Sequence, residues 1–163
     1  MATTITEIRF HRDHCDEVRA AFVRLSARGD GEGWINLHPA LTDDEYAQLP
    51  DRTGMAAWFS GRGPAMAMAT WMPAASGSRP RPAQIGLEHG TGPKAIDRLA
   101  EMGAPLPDGW FKRQDHAKHG IVAELPHDAD PAVVITWLIV AGTLLHTLVE
   151  PGEEWVALVH EPA

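Results

Sequence analysis

The spacing of apolar and polar residues near the start of the chain predicts a strand followed by a helix. Imperfect alternation of apolar and polar residues indicates a strand over Thr4–Phe10. Beyond it, apolar side chains recur at intervals of three or four residues: Cys15, Val18, Phe22 and Leu25. This spacing gives one apolar helix face, so we expect a helix that is packed on a core. Asp13 is its predicted N-cap, and Gly29 is its predicted end.

The pattern then predicts a short strand, a brief helix and a hairpin. Gly33–His38 is typical of a strand, and Thr42 with Glu45 has the spacing of a capping box. The hairpin consists of Ala56–Phe59, a turn over Ser60–Gly63, and a returning strand over Ala65–Met72.

Two different faces are predicted for the returning strand, because side chains alternate along a strand. One face carries Met66, Met68, Thr70 and Met72, and the other carries Ala65, Ala67, Ala69 and Trp71. The alanine face would let a helix approach closely. The methionine row fits either a core or an adaptable ligand surface. Trp58 opposes Trp71 across the hairpin, so the candidate ligand-binding residues are Trp58, Met66, Met68 and Trp71.

The second half of the chain has a more regular pattern. It predicts strand 83–89, helix 93–102, strand 109–115, strand 121–125, helix 131–148 and strand 155–160. This βαββαβ order is that of a ferredoxin-like plait. Asp130 before Pro131 is a typical helix start, and Gly103 is placed where a helix C-terminal glycine belongs. We therefore expect an α+β protein with this plait in its C-terminal half.

Breaker residues divide the chain into two predicted parts. Residues 75–82 are rich in Ser, Gly and Pro, which is typical of an exposed connection. The sequence predicts an N-terminal α+β half over 1–74, a linker, and the plait over 83–163, as two domains or as one two-lobed domain. The intervals from Ile8 to Trp34 and from Ile85 to Trp110 are similar, which leaves a duplication of one unit open.

The helix predicted over 131–148 is apolar around most of its circumference. Such a helix must be covered on more than one side. The sheet of its own half can cover one side, and either the first half or a second subunit must cover the other. The second alternative predicts a homodimer.

The stretch Glu88–Ile96, EHGTGPKAI, has two interpretations. Gly90, Gly92 and Ala95 fit a loose dinucleotide-binding turn. However, the strand predicted after it, which begins at Trp110, is too polar for the buried parallel strand that such a turn requires. A phosphate loop fails as well, because Pro93 separates Gly92 from the lysine. We interpret the glycines as a tight turn, with Pro93 starting a helix.

Charge and cysteine content narrow the classes of function. The net charge is −8, and residues 83–163 contribute −7 of it (5 basic minus 12 acidic), so nucleic acid is a disfavoured partner. One cysteine and the lack of a signal-peptide pattern favour a cytoplasmic protein. The longest apolar run, 132–145, is too short for a membrane span. Abundant Ala, Gly, Pro and Arg are typical of a high-GC bacterial source.

Histidines supply the candidate chemistry. His116 and His119 flank a predicted turn beside Asp115, and His89 ends a strand that we expect to be a neighbour. If these side chains met, they would form a metal site or an acid-base site, so all four are candidate site residues. Cys15 is a second candidate, but it is on the apolar stripe among acidic residues, which favours an inert thiol. No established catalytic motif is present, and we predict no cofactor.

Three functional hypotheses follow from these patterns. The leading one is a non-catalytic module that binds a protein or a small ligand, or regulates a partner, as a homodimer. The alternative is a small histidine-dependent or metal-dependent enzyme that uses the His89, Asp115, His116 and His119 group. The third is an acidic inhibitor-like protein, which rests on net charge alone.

Overall fold

One antiparallel sheet of seven strands organises the part of the chain that the computed structural model describes, residues 2–48, 66–146 and 152–163. The fold is mixed α+β, as predicted. In chain order its elements are β1 (Thr3–His11), α1 (Asp16–Arg28), β2 (Trp34–Pro39), α2 (Asp43–Gln48), β3 (Met68–Met72), β4 (Gln84–Glu88), α3 (Ala95–Glu101), β5 (Phe111–His116), β6 (Gly120–Glu124), α4 (Pro131–Leu144) and β7 (Glu154–Pro162).

The strand order shows that the two halves of the chain share one sheet. Across the sheet the order is β1-β7-β2-β3-β4-β6-β5, and all neighbours are antiparallel. In each half, a strand–helix–strand unit leaves a gap that a third strand fills. β7 lies between β1 and β2, and β6 lies between β4 and β5. The similar spacing of the two halves therefore corresponds to two units of the same split design.

The predicted four-stranded plait within residues 83–163 is not what the sheet shows. β4, β6 and β5 do have the neighbour relations of a plait, but β7 does not pair with β4. β3 takes that place instead, and β7 crosses to the first half, where it pairs with β1 and β2. The physical reason is that apolar alternation fixes which face of a strand is buried, but not which strand lies beside it.

Helix α4 is covered from within the chain. It packs on β2 and β3 of the first half and against α1. Gly142 brings α4 close to the sheet, since a Cβ there would lie 3.0 Å from the Trp155 ring and 3.8 Å from Ala67. The predicted close approach over the alanine face is thus present. The first half covers α4, so the apolar circumference of this helix no longer argues for a second subunit. No helix among the described residues combines the length and apolarity needed to cross a membrane.

Most of the local signals at helix ends are confirmed. Thr42 and Glu45 exchange both hydrogen bonds of a capping box, at 2.6 and 3.3 Å. The Asp130 carboxylate accepts from the Ala132 amide at 2.9 Å, and Gly103 adopts the left-handed conformation after α3. The prediction for Asp13 is wrong. Cys15 holds the N-cap position of α1, and no side chain caps this end.

The two faces of the sheet differ in cover. The covered face, under α1, α3 and α4, carries Ile8, Phe10, Ile35, Leu37, Ala69, Trp71, Ile85, Leu87, Ile121, Ala123, Trp155, Ala157 and Val159, all of which are buried. The opposite face, called the open face below, carries among others Ile5, Glu7, Arg9, Trp34, Asn36, Met68, Thr70, Met72, Gly86, Glu88, Phe111, Val122, Glu124, Glu154, Val156, Leu158 and His160. Val156 is the one of these that is buried, at 3% exposure. The alternation predicted for the returning strand is confirmed for β3, whereas the hairpin partner predicted over 56–59 lies outside the described residues.

Candidate functional site

Asp115 and His116 lie on opposite sides of the sheet, because neighbouring residues of a strand point in opposite directions. The Asp115 carboxylate is directed toward α3 and accepts from the backbone amides of Ala95 and Ile96, at 3.1 and 2.9 Å. Asp115 therefore occupies the helix end to which the glycine-rich stretch leads. A protein carboxylate fills the place where a phosphate would bind, which agrees with the interpretation that this stretch leads into a helix. The helix begins at Ala95 with Lys94 as its N-cap, so the prediction that Pro93 starts it is wrong.

His89 is on the covered side with Asp115, and its side chain is 0% exposed. Arg98 donates to the Thr91 hydroxyl at 2.9 Å, so that hydroxyl can donate to His89 Nδ1, 3.0 Å away. This arrangement places the proton of a neutral ring on Nε2, which has no hydrogen-bond partner among the described residues. Burial, reinforced by the Arg98 charge, lowers the pKa of His89, so the ring stays neutral at pH 7.

His116 and His119 form a unit of their own at the hairpin between β5 and β6. Their rings stack with centroids 4.8 Å apart, and His116 Nδ1 accepts from the Lys118 and His119 amides. The predicted group is thus divided into three parts: Asp115 caps α3, His89 is a buried ring, and His116 and His119 form a pair at the hairpin. Within the described residues, no cluster of three or more His, Cys, Asp or Glu side chains is arranged to hold a metal ion.

Cys15 is a partly buried thiol at the start of α1. Its Sγ donates to the Arg12 carbonyl at 3.1 Å. Burial raises the pKa of Cys15, and the charges of Asp13 and Asp16 raise it further. The group is therefore a thiol at neutral pH, as the acidic surroundings in the sequence predict.

The candidate ligand-binding residues separate in the same way. Met68 is half-buried on the open face, and Met66 is half-buried just before β3. Trp71 points to the covered face and stacks on Phe22, with ring centroids 4.3 Å apart. Trp58 lies outside the described residues.

A cavity of about 510 Å³, called the Trp71 cavity below, opens beside this aromatic stack. Phe22 and Trp71 form part of its wall, and the start of α4 contributes Val134. The proline-rich connection between β3 and β4 forms another side. That connection is fixed in place because Ala75 and Arg81 exchange two backbone hydrogen bonds, both of 3.0 Å.

The charge around the Trp71 cavity differs from that of the whole chain. Arg81 lies at its rim, where the guanidinium donates to the Gly31 carbonyl, and His127 lines it as well. No carboxylate is among the described residues that line this cavity. In a chain of net charge −8 this is a locally basic site.

A polar row crosses three strands of the open face. Thr70 donates to Asn36 Oδ1 at 2.9 Å, so the Asn36 amide nitrogen faces His160 Nε2, 3.2 Å away. The Trp34 ring stacks on His160, with centroids 4.3 Å apart. Burial lowers the pKa of His160, so the neutral ring can accept from Asn36.

Sequence reasoning missed both of these features. Phe22 and Trp71 belong to a helix and a strand 49 positions apart, and no spacing rule links them. The prolines of residues 75–82 predicted a connection between two parts of the chain. Their sequence does not indicate that this connection lines a cavity. Thr70, Asn36 and His160 meet only because β7 crosses into the first half.

Comparison of the chain with models of protein families, with characterised proteins and with solved structures gives no match in any of the three. The function of the protein is therefore inferred from its own geometry.

Proposed function

We propose that this protein is a non-catalytic binding module whose ligand is a small molecule held in the Trp71 cavity. The observation that carries the proposal is a partly enclosed cavity, lined in part by aromatic side chains, with a basic rim in an acidic chain. Its volume of about 510 Å³ is within the range of small-molecule sites in proteins.

The apolar wall supports a ligand with an aromatic or aliphatic body. Phe22 and Trp71 are among the lining residues of the Trp71 cavity, although they are only 1% and 4% exposed, and several prolines of the lining add rigid apolar area. Burying apolar surface supplies most of the affinity at such sites. Trp71 was a candidate ligand-binding residue from the sequence because it was expected to oppose Trp58 across a hairpin, as in an aromatic pocket wall.

The rim of the Trp71 cavity is suited to binding a negatively charged group on the same ligand. Arg81 is held in position by its bond to the Gly31 carbonyl, and further donor hydrogens of a guanidinium remain for a carboxylate or sulfonate. No carboxylate among the described lining residues opposes such a group. The ligand class that we propose is a small organic anion with an apolar ring.

The proposal is tested with 8-anilinonaphthalene-1-sulfonate, an aromatic sulfonate whose fluorescence rises in apolar sites. We expect saturable binding at one site per chain. Ser26→Phe fills the cavity from α1, and Arg81→Gln removes the rim charge, so each variant should weaken binding at least about tenfold.

Each variant has a matched control. Val23→Phe adds the same ring on α1 at a side chain that is 54% exposed, and Arg79→Gln removes a charge two residues from Arg81, outside the cavity lining. Both controls should bind like the wild type. Equal binding by Ser26→Phe and Val23→Phe would place the dye elsewhere, and the proposal would then be wrong.

A further inference from the structure

We infer that the open face is the dimerisation surface of this protein, and that its occupant is the open face of a second copy. The product would be two seven-stranded sheets packed face to face, with α1, α3 and α4 of each copy outside. This surface is separate from the Trp71 cavity, which is on the covered side.

Exposed apolar side chains mark the open face. Ile5, Trp34 and Phe111 are 59%, 38% and 59% exposed, and all three lie along one row that runs across the sheet. Large apolar side chains at this exposure cost solvation free energy, which burial against a partner recovers. A sheet that served only as the base of a helical layer would be expected to carry polar residues here.

The centre of the open face is suited to burial. β3 is the fourth of the seven strands, and Thr70 is the middle of its three open-face residues, between Met68 and Met72. Gly86, opposite Thr70 on β4, leaves a depression beside these adaptable side chains. Thr70 and Asn36 already satisfy each other, so a partner could cover them without leaving these bonds unmade.

The size of the open face fits a stable dimer. Seven strands and three open-face residues per strand give a footprint of about 34 Å by about 20 Å, or roughly 700 Å². Stable interfaces bury about 600–1,000 Å² on each partner. The footprint lies within this range without a contribution from the helices.

Charge favours a copy of this chain over a charged partner. The open face carries six charged side chains, and four of them form two ion pairs, Glu7 with Arg9 and Arg113 with Glu124. With Glu88 and Glu154 the sum is −2 (2 basic minus 4 acidic), against −8 for the whole chain. Two copies would therefore repel each other only weakly through this face, and most of the acidic charge that would attract a basic partner lies elsewhere.

Sedimentation equilibrium tests the inference. We expect the wild type to show 35.6 kDa, twice the chain mass of 17.8 kDa. Thr70→Arg at the centre of the face, and Ile5→Arg or Phe111→Arg at its exposed ends, should each weaken dimerisation at least about tenfold. The controls are Thr136→Arg and Val133→Arg, which place the same charge on exposed positions of α4 and should remain dimeric.

Ile5→Arg and Phe111→Arg decide the test if Thr70→Arg does not fold. The side chains of Ile5 and Phe111 are already exposed in the single chain, so these two substitutions should leave its folding intact. A monomeric wild type overturns the inference, and so does a wild-type monomer that copurifies with a different protein. A dimer that survives the open-face variants, or that only the α4 variants disrupt, also overturns it. Dye binding to the Trp71 cavity does not depend on any of these outcomes.

Discussion

The covered and open faces are built from the same seven strands, yet their side chains differ in type and in burial. The core positions of the covered face hold aliphatic and aromatic side chains that belong to one buried hydrophobic cluster. The open face mixes methionines, a tryptophan and a hydrogen-bonded polar row. The buried side chains of the covered face therefore stabilise the fold, whereas the side chains of the open face can serve contacts with other molecules.

The sharpest test of this contrast uses two neighbours on β2. Leu37 is 0% exposed on the covered face, so Leu37→Ala should lower the free energy of unfolding by about 2–5 kcal/mol. Asn36→Ala, on the open face, loses two side-chain hydrogen bonds and should cost about 1 kcal/mol. Urea denaturation of a monomeric variant measures both. Equal losses in the free energy of unfolding would show that the two faces contribute equally to stability.

A second pair tests what the predicted catalytic residues do. Asp115→Ala removes the acceptor for two amides at the start of α3 and should cost about 1–2 kcal/mol. His116→Ala, at the exposed hairpin, should cost less than about 0.5 kcal/mol. Thermal unfolding measures the difference. If Zn²⁺ stabilised the wild type but not His116→Ala, the metal hypothesis would regain support.

The smallest effect concerns pH, through one histidine from each face. Burial lowers the pKa of both His89 and His160 below 6.5, so the unfolded chain binds more protons in the interval below that value. Stability contributed by each neutral ring is complete above pH 6.5 and is lost as the pH falls through its lowered pKa. His89→Leu should flatten the acid-side loss of melting temperature more than His160→Leu, because His89 is fully buried and also faces the Arg98 charge.

The control for this comparison is the pair of His11 and Glu153. Their hydrogen bond raises the pKa of His11, so its contribution is present at low pH and is lost as the pH rises. Both leucine variants retain this pair, so it cancels in their difference. If the melting temperature of either variant fell with pH as steeply as that of the wild type, groups other than that histidine would account for the acid sensitivity.

The sequence predicted the elements well and the neighbours poorly. Periodicity located β1, α1, β2 and α4, because burial on one side imposes a repeat of two or of 3.6 residues. Asp130 and Gly103 were identifiable because caps are local. The position of β7 between β1 and β2 was not predictable, since strand pairing depends on packing between distant parts of the chain.

The candidate site followed the same rule. Trp71 was a candidate ligand-binding residue from the sequence, whereas Phe22 and Arg81, which also line the Trp71 cavity, were not, because each comes from a different part of the chain. The four residues His89, Asp115, His116 and His119 were grouped by their nearness in sequence and in the predicted sheet. Alternation along β5 separates Asp115 from His116, and applying that rule to the group would have shown the division.

The place of β7 has a consequence for biosynthesis. β1 and β2 emerge from the ribosome first, yet neither can complete its ladder until Glu154–Pro162 has been translated. The N-terminal strands must therefore wait with unsatisfied backbone groups, which is the circumstance in which nascent chains attract chaperones and form aggregates. Slowing translation ahead of β7 should lengthen that exposure and lower the yield of native protein.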